Sequence, residues 1–172
     1  IIVENTVIIT NNENINEKLC DEDSDEKYLR GYIEASRQYE KKENIYWVHE
    51  NKFKETTLDI IGKCNDLVCF MVDDDIFYRK NTCTSQDIAY LFDTLDLCSF
   101  QLRLGSNLRM ENNTDNPTIQ FPRILQVDNY LVWNRQNTHG CFSYWQSLDG
   151  GIFRKDIILE KMRTIEFTSP NF

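Results

Sequence analysis

The sequence predicts an α/β domain with a mostly parallel central sheet and helices on both faces, and three observations carry that expectation. Short β-branched or fully apolar runs alternate with amphipathic helical stretches through roughly the first hundred residues. One of those runs, Leu67 to Val72, is apolar without alternation, as in a strand covered on both faces. That run ends in Asp73-Asp74-Asp75, and ligand sites of open α/β sheets lie just beyond the carboxyl ends of their strands.

The elements follow in order. Thr6 to Thr10 (Thr-Val-Ile-Ile-Thr) is a β-branched strand closed by the turn-prone Asn11-Asn12. An acidic run, Asp21 to Glu26, leads a helix whose stripe is Tyr28, Tyr32, Ala35 and Tyr39, with Lys41-Lys42 at its end. Acid first and base last both suit the helix dipole, so that acidic run reads as a helix start. Ile45 to Val48 makes a second strand, and a helix carrying Phe53, Thr57, Ile60 and Cys64 delivers the chain into the third. A further helix opens at Thr84, with Asp87 three residues on as a capping-box variant and the stripe Ile88, Leu91, Leu95. Leu97 to Leu104 returns as a strand.

The second half differs in texture. Ser106 to Pro122 is rich in Asn, Thr and Pro and reads as an irregular loop. Ile124 to Val127 and Tyr130 to Trp133, joined by Asp128-Asn129, have the spacing of a hairpin. An aromatic, glycine-containing stretch from Cys141 to Gly151 precedes a short helix near Arg154 to Arg163 and a final strand-like Ile165 to Phe167. No repeat or linker divides the chain, so residues 1–172 read as a single domain with an α/β half (1–105) and a half of different texture (106–172).

At 172 residues the chain is long enough to bury a core without disulfide support. Its net charge of −9 argues against nucleic-acid partners and anionic membrane. Six cysteines (Cys20, Cys64, Cys69, Cys83, Cys98, Cys141) form no C-x-x-C pair, several within apolar runs, and no stretch has the length of a membrane span. A reduced, cytoplasmic compartment is expected, with the Asn112-Asn113-Thr114 sequon idle. His49 and His139 are too few for a multi-histidine zinc site.

Three adjacent aspartates repel one another, and a divalent cation is the simplest neutraliser. Hard carboxylate oxygens suit Mn²⁺ or Mg²⁺. The bland alternative is an acidic turn after a core strand.

The segment Val72 to Asp75, with its Asp-x-Asp from Asp73 to Asp75, resembles the signature of GT-A nucleotide-sugar glycosyltransferases. Ser147 to Arg154 (Ser-Leu-Asp-Gly-Gly-Ile-Phe-Arg) resembles their acceptor-side loop entering a helix. Together with Phe100 to Gly105 and the closing Phe167 to Asn171, these motifs are similar to small family-2-like glycosyltransferases of large DNA viruses and some bacteria, including those that build chlorella virus capsid glycans. The resemblance implies a GT-A, Rossmann-like sheet in the first half and a smaller irregular or antiparallel acceptor-side half. Such enzymes usually open with a further strand and helix, whereas only Ile1 to Asn5 precede the first strand here, and a fragment of a longer protein is the expectation.

The implied activity is metal-dependent transfer of a sugar from a nucleoside diphosphate donor, UDP-sugar favoured, to a hydroxyl of a glycan or glycoprotein, with inversion. If the source is viral, the host cytoplasm is the expected compartment. Asp75 and Asp73 would hold Mn²⁺ or Mg²⁺, Asp73 also reaching the ribose or a metal-bound water. Asp74 falls on the opposite face of an extended strand, where it is structural or completes the donor-binding set. Asn11 and Asn12 are candidate base contacts, although turn chemistry alone explains an Asn-Asn pair. Lys52 and Lys54 are candidate diphosphate cations, against solvated lysines at a helix start. Arg103, in an otherwise apolar strand, is expected to be buried and to need an anion, for which the aspartate cluster or a phosphate would serve. Asp149 is the candidate catalytic base, against a plain Asp-Gly-Gly turn. Trp133, Tyr144 and Trp145 stack on sugar or belong to the core, and His139 is a further ligand or simply exposed. Two other functions use the same features: a metal-dependent phosphatase or nucleotidyltransferase, and a non-catalytic carbohydrate-binding module.

Overall fold

The computed structural model describes residues 6–10, 34, 37–38, 45–49, 52–72, 83–108, 120–144 and 146–168. The chain is mixed α/β there, with strands β1 (Thr6–Thr10), β2 (Ile45–His49), β3 (Leu67–Phe70), β4 (Phe100–Gln101), β5 (Ile124–Val127), β6 (Tyr130–Trp133) and β7 (Gly151–Arg154). Helices α1 (Phe53–Lys63), α2 (Ser85–Thr94) and α3 (Lys155–Thr164) accompany them, with 3₁₀ turns at Arg135–Asn137 and Gly140–Ser143. Two compact units divide the chain: Ile1–Cys64 with Thr82–Ser85 and Leu159–Phe172, and Asn65–Asn81 with Gln86–Ile158.

In the first unit β1 and β2 pair in parallel, Thr6 opposite Ile45 through Thr10 opposite His49. Parallel neighbours need a long crossover, and Glu34, Arg37 and Gln38 within it are helical and exposed. All three lie off the expected apolar stripe; the stripe's own tyrosines, Ala35 and the acidic run lie outside the described residues. Helix α1 buries Thr57 and Ile61, one turn apart, so its inward face is rotated slightly from the expected Ile60. Phe53 meets Phe167 edge to face, with centroids 5.8 Å apart. Lys54 reaches across the same ring to Glu166 at 2.7 Å. Ile165 to Phe167 is therefore an anchored coil rather than the expected strand: Phe167 is buried, and no strand pairs with this segment among the described residues.

The second unit holds a three-stranded sheet in the order β3-β7-β4. Strand β7 is antiparallel to both neighbours, with Gly151 opposite Phe70 on one side and Gln101 on the other. It follows that β3 and β4 point the same way across it. Parallel pairing among the described strands is confined to β1 and β2, whereas the sequence suggested a mostly parallel sheet throughout. The reason is that Gly151 to Arg154, expected as loop and helix start, is a strand inserted between two parallel-running ones. The expected strand Leu97 to Leu104 shortens to Phe100–Gln101, because Leu95 to Leu97 is still turning out of α2, with Leu97 N donating to Leu95 O at 2.7 Å.

Phe153, Ile152 and Val68 from the sheet and Ile88, Leu91 and Phe92 from α2 are buried in this unit. Ile88 and Leu91 are the expected stripe. Arg154 ties the end of β7 to the last turn of α2, donating to Phe92 O at 2.6 Å and Asp93 Oδ1 at 3.2 Å while lying over the Phe92 ring. A cation suits the negative end of a helix. The hairpin β5-β6 forms as expected, Ile124 opposite Trp133, and Asp128 turns it with φ of 52°.

Candidate functional site

Because β7 runs against its neighbours, the amino end of β7 and the carboxyl ends of β3 and β4 share one edge of the sheet. Three separate segments meet there: Phe70 to Val72, Leu102-Arg103, and Ser147 to Gly150. Their backbones are stitched together through one glycine. Gly150 N donates to Phe70 O at 2.9 Å, and Gly150 O accepts from Leu102 N at 3.0 Å. Gly150 has φ of +73°, a conformation glycine adopts without steric cost, and Met71 Sδ and Leu102 Cβ flank its α-carbon on the side a Cβ would take. Gly151 has no room for a side chain at all, since a Cβ would stand 2.3 Å from Ser147 O and 2.8 Å from the Phe153 ring.

This turn presents Asp149, whose side chain is 47% exposed. Ser147, 2% exposed, donates its hydroxyl to Asp149 Oδ2 at 3.2 Å and accepts from Asp149 N at 3.3 Å. The same Oδ2 lies 4.0 Å from Arg103 Nε. That distance is beyond a hydrogen bond, and with both groups partly in water the attraction is modest. Among the described residues no hydrogen bond or ion pair engages Asp149 Oδ1. The edge thus carries an anchored carboxylate, a guanidinium and an exposed Met71, on the segment that leads by sequence into Asp73-Asp74-Asp75.

Of the residues singled out in the sequence, Asp149 and Arg103 come together here. Arg103 is not buried in a strand as expected; it is exposed in a bend just after β4, since the ladder ends at Gln101. Lys52 belongs to the other unit, where it is the exposed N-cap residue of α1 and pairs with Glu55 at 3.4 Å. Asn11, Asp73, Asp74, Asp75 and Trp145 lie outside the described residues. Among the described residues no three His, Cys, Asp or Glu side chains group as metal ligands. Trp133 is half-buried, donating Nε1 to Phe142 O at 2.9 Å and stacking edge-on with that ring, a structural role. Tyr144 and His139 are exposed.

Ser147 is the functional candidate that residue types alone did not single out. A Ser-x-Asp spacing ahead of Gly-Gly is a signal for a hydroxyl turn, and it was available in the sequence. Comparison with protein-family models, curated proteins and solved structures finds no match for this chain.

Proposed function

We propose that this chain is a metal-dependent glycosyltransferase that moves a sugar, with inversion, from a nucleoside diphosphate donor to a hydroxyl of a glycan or glycoprotein. One observation carries the reading: Asp149 and Arg103, from distant parts of the sequence, meet at the sheet edge where the segment leading into Asp73-Asp74-Asp75 ends. The reading extends to the fold, a GT-A arrangement in which β1 with β2 and β3 with β4 run in common directions. It extends also to a UDP-sugar donor and a cytoplasmic setting. No helix among the described residues is long and apolar enough to cross a membrane.

In this mechanism Asp149 accepts the proton of the acceptor hydroxyl as that oxygen bonds to the sugar's anomeric carbon and the bond to the diphosphate breaks. The exposure of Asp149 suits a group that must meet an incoming acceptor. Arg103 adds positive charge at the same edge and is a donor-binding candidate for the anionic diphosphate. Asp73 and Asp75, hard oxygen donors, would hold Mn²⁺ or Mg²⁺, which when bound would offset the charge gathering on the departing diphosphate. Asp74, Asn11 and Lys52 remain donor-binding candidates in this reading.

The test incubates the protein with a panel of nucleotide sugars, with Mn²⁺ or with chelator, and follows release of nucleoside diphosphate. Metal-dependent release from one donor, abolished in Asp75→Ala, is the expected result. In Asp149→Asn, donor binding persists while kcat falls on the order of 10²–10⁴-fold, the usual worth of a positioned base. Failure to bind any nucleotide sugar with or without metal would sink the proposal.

A further inference from the structure

The two oxygens of Asp149 stand in different surroundings. Oδ2 accepts from the buried Ser147 hydroxyl and faces Arg103, while Oδ1 has no partner among the described residues. A carboxylate on a single bond to its backbone turns freely about its side-chain torsions unless something holds one oxygen. Ser147 is well placed to do that: its own position is set by burial, and its carbonyl oxygen packs against the side of Gly151 that no side chain can occupy. One hydroxyl offers one hydrogen and two lone pairs, so donating to Oδ2 and accepting from Asp149 N are simultaneous, and the two contacts clamp both the side chain and the backbone of Asp149.

Resting on the transferase reading above, we infer that Ser147 is a positioning residue: it fixes Asp149 through Oδ2 and leaves Oδ1 as the oxygen that takes the acceptor's proton. Arg103 acts on the same oxygen from a longer distance and reinforces the orientation. No covalent step involves Ser147, and it touches neither donor nor acceptor. Its contribution is the removal of misdirected carboxylate orientations, and a misplacement on the order of 1 Å at a reacting group costs up to about 10²-fold in rate.

The experiment is a double-mutant cycle on Ser147→Ala and Asp149→Asn, read on hydrolysis or transfer from the nucleotide sugar the wild type turns over. Ser147→Ala is expected to lower kcat about ten- to a hundredfold with the donor KM unchanged. In the Asp149→Asn background the same substitution should cost nothing further, because the group it positions is gone. An unchanged kcat in Ser147→Ala overturns the inference, as does an equal loss in both backgrounds, and both leave the transferase reading intact. If Ser147→Ala does not fold, Ser147→Cys keeps the side chain's connectivity with a larger, weaker-donating thiol and serves the same comparison.

A second measurement does not depend on turnover. The Asp149 carboxyl ¹³C resonance, assigned by its absence in Asp149→Asn, shifts in Ser147→Ala if the hydroxyl holds Oδ2; an unchanged resonance overturns the tether. A wild type that turns over no nucleotide sugar defeats the transferase reading and the positioning role of Ser147 in it together, whereas the tether stands or falls on the resonance.

Discussion

Gly151 shows how a single hydrogen in place of a side chain shapes the site. Its would-be Cβ meets a backbone oxygen and an aromatic ring, neither of which is a flexible side-chain tip, and Phe153 itself is fully buried. Gly151→Ala must therefore push Ser147 or Phe153 away, an overpacking cost of about 1–3 kcal/mol. The thermal midpoint should fall by about 2–4 °C for each kcal/mol in a domain of this size. If the turn shifts as a unit, kcat falls with it; a midpoint within a degree of wild type would show that the turn yields freely. At this scale the sequence named Asp149 and the Gly-Gly turn but left two readings open, a base or a tight turn. The structure shows the tight turn with the carboxylate exposed on it, and the base role belongs to the proposed transferase reading. Arg103 was legible as a cation in need of an anion, but neither its exposure nor its place beside Asp149 was, because both depend on where the β4 ladder ends.

Helix α1 carries a feature that local physics disfavours. Its N-cap is Lys52, which makes no side-chain cap bond and sets a positive charge at the positive end of the helix dipole, with Glu55 in the first turn as compensation. Lys52→Ser supplies an oxygen for the free helix N–H groups and should stabilise the fold by about 0.5–2 kcal/mol, read by chemical denaturation. Stability that rises while donor affinity drops would assign Lys52 to the diphosphate; a rise with affinity unchanged leaves it a solvated lysine. Most elements were legible at this scale. Helices α1 and α2 and the β5-β6 hairpin follow from stripe, cap and turn signals that act over a few residues. Strand β7 was not legible: Gly-Ile-Phe-Arg between an Asp-Gly turn and a helix is too short for any period to show. Its identity comes from pairing with Phe70 on one side and Gln101 on the other, some eighty and fifty residues away in sequence.

Across the whole molecule, charge and thiol chemistry set what can be said. Among the described residues Cys64, Cys69, Cys83, Cys98 and Cys141 form no disulfide, and Cys83 is buried with its Sγ donating to Thr84 O at 3.6 Å. Among the described residues stability therefore comes from packing rather than cross-links, and reducing agent should leave the thermal midpoint unchanged. A drop of several degrees on reduction would reveal a disulfide the described thiols do not make. What the sequence determined by itself was the class of structure and the chemistry on offer: alternating strands and helices, an apolar strand leading into carboxylates, and an acidic balance ill suited to nucleic acid. These follow from composition and short-range periodicity. Only the tertiary structure decided that β7 enters antiparallel between β3 and β4, and that Ser147, Asp149 and Arg103 gather at one edge. Long-range register depends on which backbone groups find partners across the chain, and no local pattern encodes that choice.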